Sequence, residues 1–173
     1  MPRINPRHHW LVTWLAGASG ILAFAPFGFF WFAPVPWLLL FAVLRSAASA
    51  KQAAWLGFWF GAGFFLAGVS WIYISLATFG GMPWWLAGPA TLIFCLFLAL
   101  YPALAGSLFK RWQPEAFWRQ ALLFATLIAA VDALRGWIFT GFPWLALGYS
   151  QAPPSPLAGF APLIGVYGLS LLT

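Results

Sequence analysis

KQAAWLGFWFGAGFFLAGVSWIYISLATFGGMPWWLAGPATLIFCLFLALYPALAGSLFK, residues Lys51 to Lys110, decides the fold: between its two terminal lysines no residue carries a charge. A membrane-spanning helix needs about 20 predominantly apolar residues, so this stretch holds two passes with a turn between them. Working outward in both directions, residues 8–44 and 136–173 are likewise free of Lys, Arg, Asp and Glu. Each of these runs also has room for more than one pass.

The composition agrees with that reading. The chain has 173 residues, 64% hydrophobic and only 6% charged, against roughly 25% charged residues in a soluble domain. Disorder is excluded as well, because it requires low hydrophobicity and high charge density. The net charge of +6 does not indicate nucleic acid, since the basic residues form small clusters between apolar runs and not a continuous basic face. The single cysteine, Cys95, removes intrachain disulfides and multi-cysteine metal sites from consideration.

The expected fold is all-α, a polytopic membrane bundle of about six helices: Trp10 to Phe24, Trp37 to Ala48, Ala53 to Ser75, Trp84 to Phe109, Phe117 to Ile138 and Leu157 to Thr173. Pro26, Pro34 and Pro36 break the first charge-free run into a hairpin. Residues 1–9 are expected to form a cytoplasmic tail, and residues 10–173 the membrane domain. Arg3 and Arg7 precede helix 1; Arg45 and Lys51 flank the second turn; Lys110, Arg111 and Arg119 flank the fourth. With an even number of crossings between clusters, a cytoplasmic N-terminus puts every basic residue except Arg135 inside. A competing reading, a signal peptide cleaved after Ala23-Phe24-Ala25, would reverse this orientation. The final hydrophobic segment has no flanking charge, which is expected of a fragment truncated within a longer protein.

Catalytic constellations are scarce. His8 and His9 lie near the N-terminus, far from Cys95, and Glu115 is about 22 Å from Asp132 along a helix rising 1.5 Å per residue. That separation exceeds the reach of an acid–base pair. No metal-ligand spacing or phosphate loop occurs, and no cofactor is expected. What stands out are three irregular, aromatic segments at the outer helix ends: LAFAPFGFF (Leu22 to Phe30), SWIYISLATFGGMP (Ser70 to Pro83) and LRGWIFTGFPWLALGYSQ (Leu134 to Gln151). Non-helical backbone at membrane depth is tolerated only where protein buries it or a watery cavity lies beside it.

Asp132 and Arg135 share one helix face, and ionisable groups inside a span are functional suspects. They form either a self-neutralising structural pair or a site at which Arg135 holds a lipid phosphate. Trp144, after Phe142-Pro143, lines a lipid groove or anchors at the interface. Gly80-Gly81 allows a turn beside Phe79. The spacing Gly57-x-x-x-Gly61, with Gly68 beyond it, is a helix-packing signal.

The combination of ATFGGMP with LRGWIFTGFPWLALGYSQ, and of LAFAPFGFF with GFAPLIGVYGLSLL (Gly159 to Leu172), resembles the membrane domain of bacterial apolipoprotein N-acyltransferases from about Leu15 to Thr173. The resemblance implies a multi-pass protein of the bacterial inner membrane, working at its periplasmic face. Its partners would be a phospholipid acyl donor and a diacylglyceryl-modified apolipoprotein, whose N-terminal amine receives the acyl chain. It also implies a nitrilase-like domain with a Glu-Lys-Cys triad that nothing in this chain matches; Cys95 is not its nucleophile. This chain is therefore expected to handle lipid access and to be inactive alone. The candidate substrate-binding residues are Trp144, Arg135, Phe142, Tyr149, Phe79 and Gly81, with Asp132–Arg135 as a structural pair. Asp132 stands where the family usually has Glu. The rival readings are a small membrane transporter and a non-catalytic membrane scaffold.

Overall fold

The computed structural model describes residues 9–173, and among them the chain is helical with no strand. Arg3, Arg7 and His8, and with them most of the expected tail, lie outside the described residues. Seven α-helices of eleven or more residues follow in order among the described residues: α1 (His9–Ser19), α2 (Pro34–Ser46), α3 (Ala50–Val69), α4 (Trp84–Leu98), α5 (Leu100–Trp112), α6 (Phe117–Arg135) and α7 (Ala161–Leu172). Three helical stretches are long and apolar enough to cross a membrane: Ala50–Val69, Trp84–Trp112 and Phe117–Arg135. Three shorter apolar ones, His9–Ala23, Phe30–Ser46 and Pro156–Leu172, complete an all-α membrane bundle.

Local chemistry explains where the bounds differ from the sequence expectation. Helix α2 starts at Pro34 and not at Trp37, because Pro34 and Pro36 fall in its first turn, where a missing N–H costs nothing. Helix α3 begins before Ala53: the Ser49 hydroxyl accepts from Gln52 N at 3.2 Å, and Gln52 Oε1 reaches back to accept from Ala48 N at 2.7 Å. This reciprocal cap satisfies amides that would otherwise be orphaned. The helix expected over Trp84 to Phe109 breaks at Ala99, because Pro102 has no N–H to offer the Leu98 carbonyl and its ring crowds that group. After α3 the chain makes a short turn and a π-helical stretch, Ser75–Phe79. The last segment starts as a 3-10 turn, Pro156–Phe160, and α7 is kinked at Gly165.

Helix α3 is the centre of the bundle, with α1 on one side and α5 on the other; α6 packs on α5 and α7 on α6. The approach is close enough to be backbone on backbone. A methyl group on Gly63 would stand 2.1 Å from the Trp14 carbonyl oxygen, and one on Gly57 would stand 2.3 Å from that of Pro102. Around these contacts lies an apolar core that includes Leu44, Leu56, Phe60, Phe65 and Phe109.

The basic turns share one end of the bundle. Lys110 Nζ donates to the Arg45 carbonyl at 3.2 Å, and Arg45 Nε to Gln120 Oε1 at 2.7 Å, joining the α2–α3 turn to the α5–α6 turn. Lys110 and Arg111 also sit in the last turn of α5, where the helix dipole favours cations. Arg135 ends α6 at the opposite, distal end.

Candidate functional site

At the distal end, α6 finishes in a polar centre built by two residues one turn apart. Arg135 is only 1% exposed, and its Nη2 donates to Asp132 Oδ1 at 3.0 Å. Its Nη1 donates to the carbonyls of Phe142 at 2.6 Å and Trp144 at 2.5 Å, and its guanidinium lies 5.2 Å from the centre of the Phe65 ring. The second carboxylate oxygen of Asp132 accepts from Leu147 N at 2.8 Å and from the Ser170 hydroxyl at 3.3 Å. Ser170 in turn accepts from Gly148 N at 2.8 Å. The pair thus binds the loop after α6 twice over and ties it to α7.

That loop needs such restraint. Phe139, Thr140 and Leu145 hold left-handed backbone conformations with φ of 53°, 72° and 60°, each costing a non-glycine residue on the order of 1–3 kcal/mol. Leu145 uses its conformation to drop its side chain onto Gly68 of α3, where even a methyl group would meet its Cδ1 at 2.4 Å. Gly148 has no room for a side chain either, since a methyl there would lie 2.0 Å from the Val166 carbonyl oxygen. Below the loop, Gln151 Oε1 accepts from the Ser155 hydroxyl at 2.6 Å and steadies the approach to α7.

With the backbone fixed in this way, Trp144 projects and is 51% exposed. Its ring lies 5.2 Å from that of Trp71, and it borders a groove of about 490 Å³ lined by Phe24, Ala25, Pro143, Leu145 and Tyr149. All three irregular segments singled out in the sequence therefore meet around Trp144. Phe142 turns the other way and packs edge-on against Phe94 of α4 at 5.0 Å. Phe79 is 84% exposed at the end of the π-helical stretch, and Gly81 has φ of +65° in the following turn; neither lines the groove. The structure thus gathers Asp132, Arg135, Phe142, Trp144 and Tyr149 into one region and does not bring Phe79 or Gly81 into it.

Sequence reasoning did not single out Ser170, Leu145 or Phe65. Ser170 had a visible signal, being one of two hydroxyl-bearing residues in the otherwise apolar α7. The other two act through packing that only the folded chain reveals. Cys95 is fully buried in α4 and donates to the Phe65 carbonyl at 3.6 Å, a packing arrangement with no base beside it.

The family profile of the apolipoprotein N-acyltransferase N-terminal domain matches residues 16–173. A protein of Nitrosomonas europaea named apolipoprotein N-acyltransferase is 50% identical over 163 residues, covering 94% of this chain and 33% of the relative. Proteins of the same name from Ralstonia nicotianae and Vibrio vulnificus are 44% and 47% identical; the alignments cover 90% of this chain and 30% and 31% of those proteins. The chain spans about a third of the length of the relatives it matches. It carries the N-terminal domain that these proteins share, and it belongs to the apolipoprotein N-acyltransferase family.

Proposed function

We propose that this chain is the membrane domain of an enzyme that moves an acyl chain from a phospholipid to the N-terminal amine of a diacylglyceryl-cysteine lipoprotein. The observation that carries the reading is the groove beside Trp144, apolar in lining and held open by a loop that Asp132 and Arg135 brace. An acyl chain needs an apolar slot, and its ester needs to stand at the bilayer surface. Exposed Trp31, Trp84 and Trp137 around the same end fit the aromatic belt of a membrane interface. By the charge rule the basic end faces the cytoplasm of a bacterial inner membrane, so the groove opens on the periplasmic side.

In this reading Trp144, Tyr149 and Phe24 receive the acyl chain. Phe79 and Gly81 flank its approach. Phe142 anchors the loop on α4. Arg135, buried and turned toward loop carbonyls, is a positioning residue that sets where Trp144 stands. Nucleophilic chemistry is assigned to residues outside this chain, because Cys95 has neither a base nor access to the groove.

The test is lipoprotein N-acylation by the full-length protein carrying Trp144→Ala or Arg135→Ala, with acyl-enzyme formation scored separately. Loss of acyl-enzyme in both variants, at membrane levels matching the parent, is the expected result. Unchanged acyl-enzyme and unchanged lipoprotein acylation would remove the groove from the reaction. The 173-residue chain alone should transfer no labelled acyl group to a diacylglyceryl peptide.

A further inference from the structure

A second groove, of about 310 Å³, runs between α2 and α6 and is closed at its distal end by Leu147 and by Ser170, Leu171 and Thr173 at the end of α7. Its walls include Trp37, Phe41, Phe117, Phe124 and Ile128. From Phe117 to Ile128 the α6 wall runs about 16 Å at 1.5 Å per residue, roughly the depth of one leaflet of a hydrocarbon core about 30 Å thick. One end of the slot has a cation. The Arg45 guanidinium is 4.9 Å from the Phe117 ring centre and 5.6 Å from that of Phe41, two residues of the groove wall.

Arg45 is exposed and is held in place through Nε, which donates to Gln120 Oε1. Among the described residues its two Nη groups have no partner. Lys110 sits on the Arg45 carbonyl, and Arg119 lies one residue before Gln120. Glu115, the one carboxylate of this end, makes no ion pair with any of them among the described residues and offers its backbone carbonyl to Gln120. An apolar slot one leaflet deep, with an oriented guanidinium at its mouth and excess positive charge around it, has the chemistry of an anionic phospholipid: chain in the slot, phosphate on the fork of donors.

We infer that the α2–α6 groove binds one acyl chain of an anionic phospholipid whose phosphate is held by Arg45 at the basic end of the bundle. The site shares no lining residue with the Trp144 groove and does not depend on acyl transfer. Native mass spectrometry of the detergent-purified full-length protein tests it with dioleoyl phosphatidylglycerol, dioleoyl phosphatidylcholine and glycerol 3-phosphate as probes. Phosphatidylglycerol should be retained about fivefold over phosphatidylcholine, the equivalent of about 1 kcal/mol for one basic residue at an anionic surface. Arg45→Gln should bring the two lipids to parity, and Ala125→Phe or Ala121→Leu, filling the slot from half-buried positions, should lower retention of both. Parent-like circular dichroism qualifies each variant as folded.

Equal retention of the two lipids by the parent would overturn the site. So would an Arg45→Gln variant that keeps the preference. If glycerol 3-phosphate were retained as well as the lipid, the groove would have no part in binding. If both slot-filling variants bound lipid like the parent, the acyl chain would not occupy the slot and the proposed site would fall.

Discussion

Helices α1, α3 and α5 touch through bare backbone, whereas the loop after α6 is held by one ion pair and its hydrogen bonds. The difference follows from what a bilayer rewards. Between two helices in lipid there is no hydrophobic gain to collect, so close approach through glycine, and the dispersion it allows, holds the interior together. Such contacts are dense but have little directional preference. The distal loop carries three non-glycine residues in left-handed conformations, and packing alone does not select so unusual a backbone. Carbonyls and amides fixed at defined distances from Asp132 and Arg135 do.

The comparison breaks most severely at Gly63. A Gly63→Val substitution drives atoms into the Trp14 carbonyl, with no flexible side chain to yield. Overpacking usually costs about 1–3 kcal/mol; with rigid backbone on both sides the expected effect is at or above the top of that range. It should appear as loss of the folded species in size-exclusion chromatography. If backbone contact were incidental, Gly63→Val would purify like the parent.

Removing the carboxylate should damage the loop without dissolving the bundle. Asp132→Ala leaves a buried guanidinium uncompensated, a change that costs about 3–5 kcal/mol where one partner of a buried pair is lost. Because the loss falls on the distal end, limited proteolysis should cleave within residues 136–151 while α3 and α5 stay protected. Uniform destabilisation of all helices would mean that the two regions are not separately held. Ser170→Ala is the milder version. It removes the hydroxyl between Asp132 and Gly148 N, and about 1 kcal/mol is expected for one such bond, read as a small drop in thermal midpoint in detergent.

How much of this the sequence disclosed depends on the range over which each signal acts. Hydropathy accumulates over some twenty residues, so the charge-free runs located the apolar helices despite uncertain ends. The ends turn on single groups: the Ser49–Gln52 cap moved the start of α3, and Pro102 divided α4 from α5. Asp132 and Arg135 were visible as a pair through their helical spacing. Their partners were not, because Leu147 lies 15 residues from Asp132 and Ser170 lies 38, and no local pattern links them. Trp144 stood out among 13 tryptophans only by its setting after Phe142-Pro143. Its meeting with Trp71 and Phe24 is a product of the bundle.

A change as small as one methylene is the most discriminating. Asp132→Glu adds one methylene to the side chain while keeping its charge. Asp132 Oδ1 is 3.0 Å from Arg135 Nη2, and Oδ2 is 2.8 Å from Leu147 N. A longer side chain reaches both only if it folds back through another rotamer. The rotamer cost is of order 0.5–1.5 kcal/mol, and the ion pair survives, so Asp132→Glu should lose far less stability than Asp132→Ala and keep residues 136–151 resistant to protease. If it behaved instead like the alanine variant, the clamp would depend on carboxylate position and not on charge, and the loop would be fitted to aspartate. The comparison would then sharpen: the distal end would match the glycine-packed interior in tolerance, one methylene being as disruptive there as a methyl group between α1 and α3.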